Sequence, residues 1–528
     1  LAKFWLLFAG VLLFYAVSRQ PFGNWWRVGW IFTLLGGLTS IYFLAGHDWH
    51  ADPTHFSWIN TFGSAWREMF PVTIHSRLTD YAAAGILAIT IPFAISLWPY
   101  TKKSNSKRLI LIATGLIIAF GLLMTGERSA WFVLSLAFIP WLMWEVAQKL
   151  GRNNREEIIH RFSRLMRLIG LLLLVLVFSY GLIAAIQTQG VPGLGSLFDR
   201  MVFVGNTLDL IGDFLFTGGG LRAFEGLYSH YIFAIPHVLA SYSLNLFLDV
   251  TLEQGIFAGL SLVLILFGSI WIARKPYTQF HGVGDLLKWA ALTGLIFMIV
   301  HGLVDNSFYG DRGTPFLFVL PGMVMMLSSN SEVLQKAKKG SNFIDFRRQS
   351  LALRVLIFLF AVTGLLAVIL MAGEKLLARV YVNLASVEMA RIELRDFPRN
   401  EWVYSSDVHL MADSVELMRR ALHIDPNLHA SYHRLGLIAL KQHDFSLALE
   451  HLERAYDLHP THRGIQKNLG YSFVWVGNYP RAKELLIDLP ETHLELGNYS
   501  HFWRLNSRPD LADNALFMVA ELAGSRTQ

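Results

Sequence analysis

The sequence predicts an all-α protein in which a polytopic helical membrane domain is followed by a solenoid of short helices. Of the 528 residues, 53% are hydrophobic and only 16% are charged, whereas a soluble domain has about 25% charged residues. The apolar residues are grouped in blocks close to the roughly 20 residues that a bilayer-spanning helix needs. A repeated pattern near the C-terminus predicts the solenoid.

We expect about ten spans, with a large loop at 187–254 between the sixth and the seventh. The ninth block is short for a span. The chain begins at Leu1 rather than at a methionine, so we expect it to lack its true N-terminus and one or more further spans. The predicted spans are Leu1–Val17, Trp25–Ala45, Tyr81–Tyr100, Leu109–Thr125, Trp131–Ala147, Leu168–Ile186, Gly255–Ala273, Leu286–Val304, Pro315–Leu327 and Leu351–Gly373.

Basic residues divide the loops between these spans into two alternating sets. One set contains most of the lysines and arginines, and the positive-inside rule places it in the cytoplasm. With an even number of spans, both chain ends and the loop 187–254 then lie outside the cytoplasm. The extracytoplasmic loops contain no lysine between spans, and their arginines are Arg67, Arg77, Arg128, Arg200, Arg222 and Arg312.

These arginines have two interpretations. Each one alone can be an interfacial residue or the partner of a carboxylate. Alternatively, several converge on an anionic ligand, since a planar guanidinium bonds two phosphate oxygens at once and keeps its charge.

Composition excludes several classes of site. The net charge of +6 comes from a few loops and indicates topology signals rather than nucleic-acid binding. The absence of cysteine excludes disulfides, thiolate metal sites and a cysteine nucleophile. A stretch rich in histidine and aspartate has no clear ligand spacing, so we expect no metal and no cofactor; it contains His47, Asp48, His50, Asp52 and His55.

Two segments after residue 405 repeat with a period of 34 residues. Small residues at helix crossings, an aromatic residue at the turn and proline after the second helix are similar to the tetratricopeptide repeat. The matching pairs are Leu435-Gly436 with Leu469-Gly470, Phe445 with Tyr479, Ala448 with Ala482, Ala421 with Ala455, and Pro426 with Pro460. We therefore predict a membrane domain over 1–373, a helical linker over 374–404 and an extracytoplasmic repeat domain over 405–528. Such repeats bind partners; the alternative is that they only stabilise the membrane domain.

Three stretches resemble the superfamily of O-antigen ligases, O-antigen polymerases and protein O-oligosaccharyltransferases. Thr125–Trp131 matches the signature T-G-x-R-x-A-W/L. The stretch from Arg200 to Phe224 is similar to an arginine, a spacer and D-x-P-L-x-G-x-G-x-x-x-F, without the usual proline. The stretch Asn245–Gly259 resembles the end of the large loop, and His301–Asn306 also looks like a family stretch.

The resemblance implies a protein of the bacterial cytoplasmic (inner) membrane that transfers a glycan from a polyprenyl-diphosphate carrier to a glycan, lipid or protein acceptor. A diphosphate leaving group needs fixed cations. Arg128 and Arg200 match family arginines, and Arg222 lies in a glycine-rich turn whose backbone N–H groups could form an anion nest. A tight turn is the simpler interpretation of Gly218–Gly220.

The resemblance leaves the general base open. Relatives have H-x-H-N where this chain has Tyr242, Ser243, Leu244 and Asn245. Leu244 stands in the position of the proposed catalytic histidine, and leucine cannot accept a proton. His237, His230 or Asp249 could substitute, catalysis could depend on leaving-group stabilisation alone, or activity could be lost.

His301 and Asp305 lie one helical turn apart. They are either a buried structural pair or part of the site, and with His237 they complete the catalytic candidates. Three functions remain: a glycosyltransferase, an inactive membrane scaffold that binds a protein through its repeats, and, less favoured, a transporter of lipid-linked sugars.

Overall fold

The computed structural model is built of helices, with no strand in the part of the chain that it describes. The predicted all-α class is therefore confirmed there. The described residues are 2–20, 25–54, 56–69, 78–101, 104–150, 195–232, 242–273, 283–310, 312–339, 373–395, 397, 405–489 and 491–526.

The chain forms two compact units that do not follow chain order, and we describe each by itself. Unit 1 comprises Leu1–Met201, Leu244–Asp249 and Leu260–Ser341, and unit 2 comprises Val202–Ser243, Val250–Gly259 and Asn342–Gln528. The predicted boundaries at 373 and 405 stay a prediction.

Unit 1 is a bundle of apolar helices. The helix α4 lies at its centre and packs against its neighbours α2, α5 and α11. In chain order, the helices described up to residue 339 are α1 (Ala2–Ser18), α2 (Trp25–Gly46), α3 (Ser57–Met69), α4 (Asp80–Ser96), α5 (Asn105–Met124), α6 (Arg128–Leu150), α7 (Gly195–Asp213), α8 (Phe224–Tyr231), α9 (Leu246–Gln254), α10 (Ile256–Ala273), α11 (Val283–His301) and α12 (Phe316–Lys339). Of these, α8 lies wholly in unit 2, and α7, α9 and α10 lie partly in it.

Three described helices are long and apolar enough to cross a membrane: Trp26–Gly46, Asn105–Met124 and Ile256–Ala273. Five further predicted spans fall on shorter apolar helices, Ala2–Ser18, Asp80–Ser96, Arg128–Leu142, Leu286–His301 and Phe316–Leu327. The predicted spans at 168–186 and 351–373 lie outside the described residues. The structure thus supports membrane association through a few spanning helices, but not the full count of about ten.

Small residues bring the central helices of unit 1 close together. A Cβ added to Gly121 of α5 would lie 2.0 Å from Ser40 Oγ of α2. The Ser40 hydroxyl donates a hydrogen bond across the same contact to the Ile117 carbonyl oxygen at 2.7 Å. Close contacts of small residues with interhelical hydrogen bonds are the usual means of packing where lipid weakens the hydrophobic driving force.

Unit 2 contains α13, a helix over 373–393, and the C-terminal repeat region. The helices of the repeat region are α14 (Ala412–Ile424), α15 (His429–Lys441), α16 (Phe445–Leu458), α17 (Arg463–Trp475), α18 (Tyr479–Leu486), α19 (Thr492–Leu505) and α20 (Pro509–Arg526). Successive helices pack in pairs, which confirms the predicted helical repeats.

The repeat positions singled out in the sequence lie at the helix crossings. Ala448 and Ala482 are fully buried. A Cβ on Gly436 would meet Leu452 Cγ at 2.6 Å, and one on Gly470 would meet Leu486 Cδ2 at 2.5 Å. Glycine therefore permits the close approach of each helix pair.

We predict that Gly470→Ala lowers the free energy of unfolding of unit 2 by about 1–3 kcal/mol. The new methyl group would overpack against the buried Leu486. Thermal unfolding of the full chain in detergent, with hydrogen exchange read over α17 and α18, measures the change.

Gly497→Ala is the matched control, because no heavy atom lies within 4 Å of its added Cβ. This substitution should be neutral or stabilise α19 by up to about 1 kcal/mol, since alanine favours helix. Equal effects of the two substitutions would contradict the tight crossing.

Candidate functional site

Several polar loops of unit 1 lie together at one end of its helical bundle. Contacts between the loops fix this arrangement: a Cβ on Gly126 would meet Thr54, and a Cβ on Gly85 would meet Ser307. The loops that follow α2, α5 and α11 therefore lie around the start of α4. We call this region the polar end of unit 1: residues 47–54, 56, 78–81, 125–131, 301–310 and 312–314.

The stretch Thr125–Trp131 comprises the tight turn between α5 and α6 and the first residues of α6, at the polar end. Trp131 Nε1 donates a hydrogen bond to the Leu122 carbonyl at 2.9 Å, and Gly126 has a φ of +69°. Arg128 begins α6 with an exposed side chain, and its guanidinium carbon lies 4.7 Å from the centre of the Phe56 ring. An exposed guanidinium on an aromatic face is well placed to meet an anion.

The stretches Asn245–Asp249 and His301–Asn306 pack against each other. The Leu246 backbone N–H donates to the Gly302 carbonyl at 2.8 Å. Asn306 Nδ2 donates to Asp249 Oδ2 at 2.8 Å, and Asn245 Nδ2 donates to the Leu303 carbonyl at 3.2 Å. Two stretches singled out separately in the sequence thus form one structural element.

His301 and Asp305 are both buried within this element. His301 Nε2 lies 3.2 Å from Ser307 Oγ and 3.8 Å from Asp305 Oδ1. The Ser307 backbone N–H donates to Asp305 Oδ1 at 2.6 Å. The pair therefore shares a hydrogen-bond network that shapes the loop, and its catalytic role stays a prediction.

Leu244 has a left-handed backbone conformation, with a φ of +62°. Bulky residues rarely adopt this conformation, whereas histidine and asparagine are enriched there. The next residue, Asn245, caps α9, since its Oδ1 accepts hydrogen bonds from the backbone N–H groups of Phe247 and Leu248 at 3.0 and 3.1 Å. Tyr242 is half-buried, and His237 lies outside the described residues.

The glycine-rich turn belongs to unit 2. The N–H groups of Gly218, Gly219 and Gly220 donate hydrogen bonds to the carbonyls of Phe214, Leu252 and Glu253 at 2.8–3.0 Å. Because these N–H groups already donate to backbone carbonyls, they do not form the anion nest that the sequence suggested. The simpler interpretation as a tight turn agrees with the structure.

Arg222 is exposed beside this turn and has a φ of +69°. It lines a cavity of about 730 Å³ that also contacts α13. Arg391 of α13 lines the same cavity, as do Glu225 and Glu388. Arg128 and Arg222 belong to different units, and the Arg200 side chain is outside the described part of the chain, so the convergence of the three arginines stays a prediction.

The inner helices of the repeats bind a segment of the chain's own large loop. Arg434 of α15 is fully buried, and its Nη2 donates to Asp213 Oδ2 of α7 at 2.6 Å. The guanidinium carbon lies 3.1 Å from the centre of the Tyr231 ring. Tyr231 in turn donates to Glu393, which is also ion-paired with Lys441. Burial alone would raise the pKa of Glu393, but the Lys441 ammonium and the neighbouring donors hold it below its usual value.

Four histidines form a cluster near Asp213. His429 and His433 belong to α15, and His459 and His462 lie between α16 and α17. The ring centres of His429 and His459 are 4.6 Å apart, and those of His433 and His462 are 5.0 Å apart. Burial lowers the pKa of His462 to about 4 and holds that of His433 well below its ordinary value. His433 and His462 are therefore neutral at physiological pH.

Comparison with known proteins assigns only the repeats. A family model of the tetratricopeptide repeat matches residues 439–505. No curated protein and no solved structure matches the chain. The matched repeats indicate a protein–protein interaction module.

The structure also adds Asp80 to the histidine- and aspartate-rich stretch, a residue that the sequence did not connect with it. His47, Asp52 and Asp80 form a cluster at the polar end of unit 1. The signal was weak, because Asp80 is separated from the histidine-rich stretch by α3 and begins an apolar helix. A buried carboxylate at that position is costly without a partner, and this cost was the one available clue.

We predict that unit 2 loses stability as the pH falls from about 6.5 to 4, because the unfolded chain binds a proton at His462 before the folded chain does. For His462 the full loss is about 3 kcal/mol. His462→Asn should make the dependence shallower while keeping the side-chain acceptor that caps Ile465 N. Denaturant unfolding at a series of pH values measures this slope.

The exposed His501 is the control. In the His501→Asn variant, the slope of the unfolding free energy against pH should equal that of the wild type. A His462→Asn slope equal to that of the wild type would show that this imidazole does not couple folding to pH.

Proposed function

We propose that the chain is a membrane glycosyltransferase of the O-antigen ligase and polymerase type. It transfers a glycan from a polyprenyl-diphosphate carrier to an acceptor hydroxyl on the extracytoplasmic face of the membrane. The observation that supports this proposal best is the packing of Asn245–Asp249 against His301–Asn306, at the bundle end that carries the Thr125–Trp131 turn. Motif stretches that serve one site must meet in space.

A groove in unit 1 offers a place for the carrier's lipid tail. It has a volume of about 760 Å³, is lined mainly by apolar side chains of α1, α2 and α12, and has Arg312 among its lining residues. The Arg312 guanidinium carbon lies 5.4 Å from the centre of the Tyr42 ring, near the C-terminal end of α2. An apolar groove with cations at the polar end suits a lipid whose head group is a diphosphate.

In this mechanism Arg128, with Arg200 and Arg222, stabilises the negative charge that develops on the departing diphosphate. The acceptor hydroxyl attacks the anomeric carbon as the bond between that carbon and the diphosphate breaks, and the hydroxyl proton passes to the departing diphosphate or to water. The ligand of the repeats is a protein partner or the acceptor.

The second candidate is a membrane scaffold that has the same fold and no transfer activity. Leu244 favours it, because leucine occupies the place of the relatives' histidine. In that case the chain would act by holding a partner protein through its repeats.

Arg128→Ala should lower the transfer rate from a lipid-linked glycan by about 100-fold or more, since one fixed charge at the leaving group contributes several kcal/mol. Arg128→Lys should restore only part of the rate, because an ammonium lacks the planar fork. Turnover by the purified chain in nanodiscs, with glycan and lipid A core or protein acceptors, provides the measurement.

Arg108 is the matched control. It is exposed and stacks on Trp98 at 4.4 Å, but it lies at the opposite end of α5. Arg108→Ala should keep full activity. If the Arg128→Ala variant kept the full transfer rate, the enzymatic proposal would be wrong. If the wild type were inactive and stably bound a purified partner protein, the scaffold would be favoured.

Leu244→His tests the lost general base. The left-handed backbone at this position accepts histidine readily, so we expect a folded protein whose transfer rate rises by about 10²-fold or more. Leu244→Asn is the control, since asparagine suits the same backbone but is not a proton acceptor. An equal effect of both substitutions would attribute the change to backbone relief rather than to proton transfer.

A further inference from the structure

Three side chains of the types that bind metals meet at the polar end of unit 1. His47 follows α2, Asp52 lies in the same loop, and Asp80 is the first residue of α4. One ligand atom from each side chain lies within 4.8 Å of the other two. Ligand atoms about 2.0–2.2 Å from one tetrahedral ion lie roughly 3.3–3.6 Å apart, so the three side chains would move together by about 1 Å on binding.

The His47 ring is oriented as a ligand would be. Its Nε2 lies 3.1 Å from the backbone carbonyl oxygen of Asp52, and its Nδ1 lies 3.1 Å from Asp80 Oδ1. A metal-binding histidine commonly donates its second ring N–H to a carbonyl, which leaves the other nitrogen for the ion. The rings of Phe43 and Trp49 each lie 4.8 Å from the imidazole and hold it in place.

Asp80 supplies an independent indication of a ligand. The residue is only 8% exposed, and its Oδ1 has no hydrogen-bond partner within the described structure. His47 Nδ1 faces this oxygen at 3.1 Å as an ion-pair partner but makes no hydrogen bond to it. The charges of Asp52 and Glu127 also act on Asp80. A buried carboxylate near two others is costly, and a bound cation would offset this cost.

The loop around His47 is already fixed in shape. Arg67 Nη1 lies 2.8 Å from Asp48 Oδ2 and donates to the His47 carbonyl oxygen at 3.2 Å. Asp48 Oδ1 accepts the His50 backbone N–H at 3.2 Å. Asp52 is exposed, so an ion can enter from the solvent side.

We propose that His47, Asp52 and Asp80 bind one divalent cation, Zn²⁺ or Mn²⁺. One imidazole nitrogen and two carboxylate oxygens suit these ions better than Ca²⁺ or Mg²⁺, which prefer oxygen alone. Three protein ligands leave at least one coordination position for water or for an oxygen of a ligand. This site does not depend on the proposed glycan transfer.

The test uses the full chain in nanodiscs, stripped with a chelator and titrated with ZnCl₂ or MnCl₂ alone. Calorimetry and metal analysis should give one ion per chain. Asp52→Asn should weaken binding by at least about 10-fold, since even outer partners of a metal ligand contribute that much. With Mn²⁺, electron spin-echo spectra should show coupling to one imidazole nitrogen, and His47→Gln should abolish it.

His50→Asn is the matched control, because His50 lies in the same loop but outside the cluster. This variant should bind the ion as the wild type does. Asp52 is exposed, so Asp52→Asn should fold even if Asp80→Asn does not. Absence of stoichiometric binding in the wild type, or equal affinity of the wild type and Asp52→Asn, would overturn the proposal.

Discussion

A helix in a bilayer can carry polar groups at low cost only near its ends, because the hydrocarbon region offers no water to solvate them. This constraint determines where the polar side chains of unit 1 lie. The central helices pack through small residues such as Gly121 and Ser40, and most of the charged side chains of unit 1 lie at the helix ends or in the loops between helices. The Thr125–Trp131 turn and the His301–Asn306 loop are therefore brought together by the bundle rather than by attraction between them.

Unit 2 differs from unit 1 in that it buries a charged side chain inside the protein. Arg434 is fully enclosed, and Asp213 from the large loop provides its counter-charge. Removing one partner of such a buried pair costs about 3–5 kcal/mol, so the pair ties the loop segment to the repeats. The repeats thus use part of their inner surface for their own chain. An external partner would have to bind the faces that remain.

The sequence predicted those features that depend on periodicity. The 34-residue spacing located Gly436 and Gly470 at helix crossings, and the apolar blocks located apolar helices, three of which are long enough among the described residues to cross a membrane. It could not predict features that depend on tertiary contacts. The N–H groups of Gly219 and Gly220 donate to carbonyls more than 30 residues away, and Asp80 meets His47 only because α2 and α4 pack together.

The contacts of Asp249 and His301 bear on whether either residue can act as the general base. Asp249 is buried and accepts a hydrogen bond from Asn306, and His301 is enclosed by Phe297 and Ser307. Both residues are therefore better suited to positioning the loop than to taking a proton from an acceptor. A diphosphate is a good leaving group once its charge is balanced, and glycosyl transfer passes through an oxocarbenium-like state that demands less of the nucleophile. For the proposed transfer, stabilisation of the leaving group by arginine is consequently the mechanism that requires least from a chain with leucine at position 244.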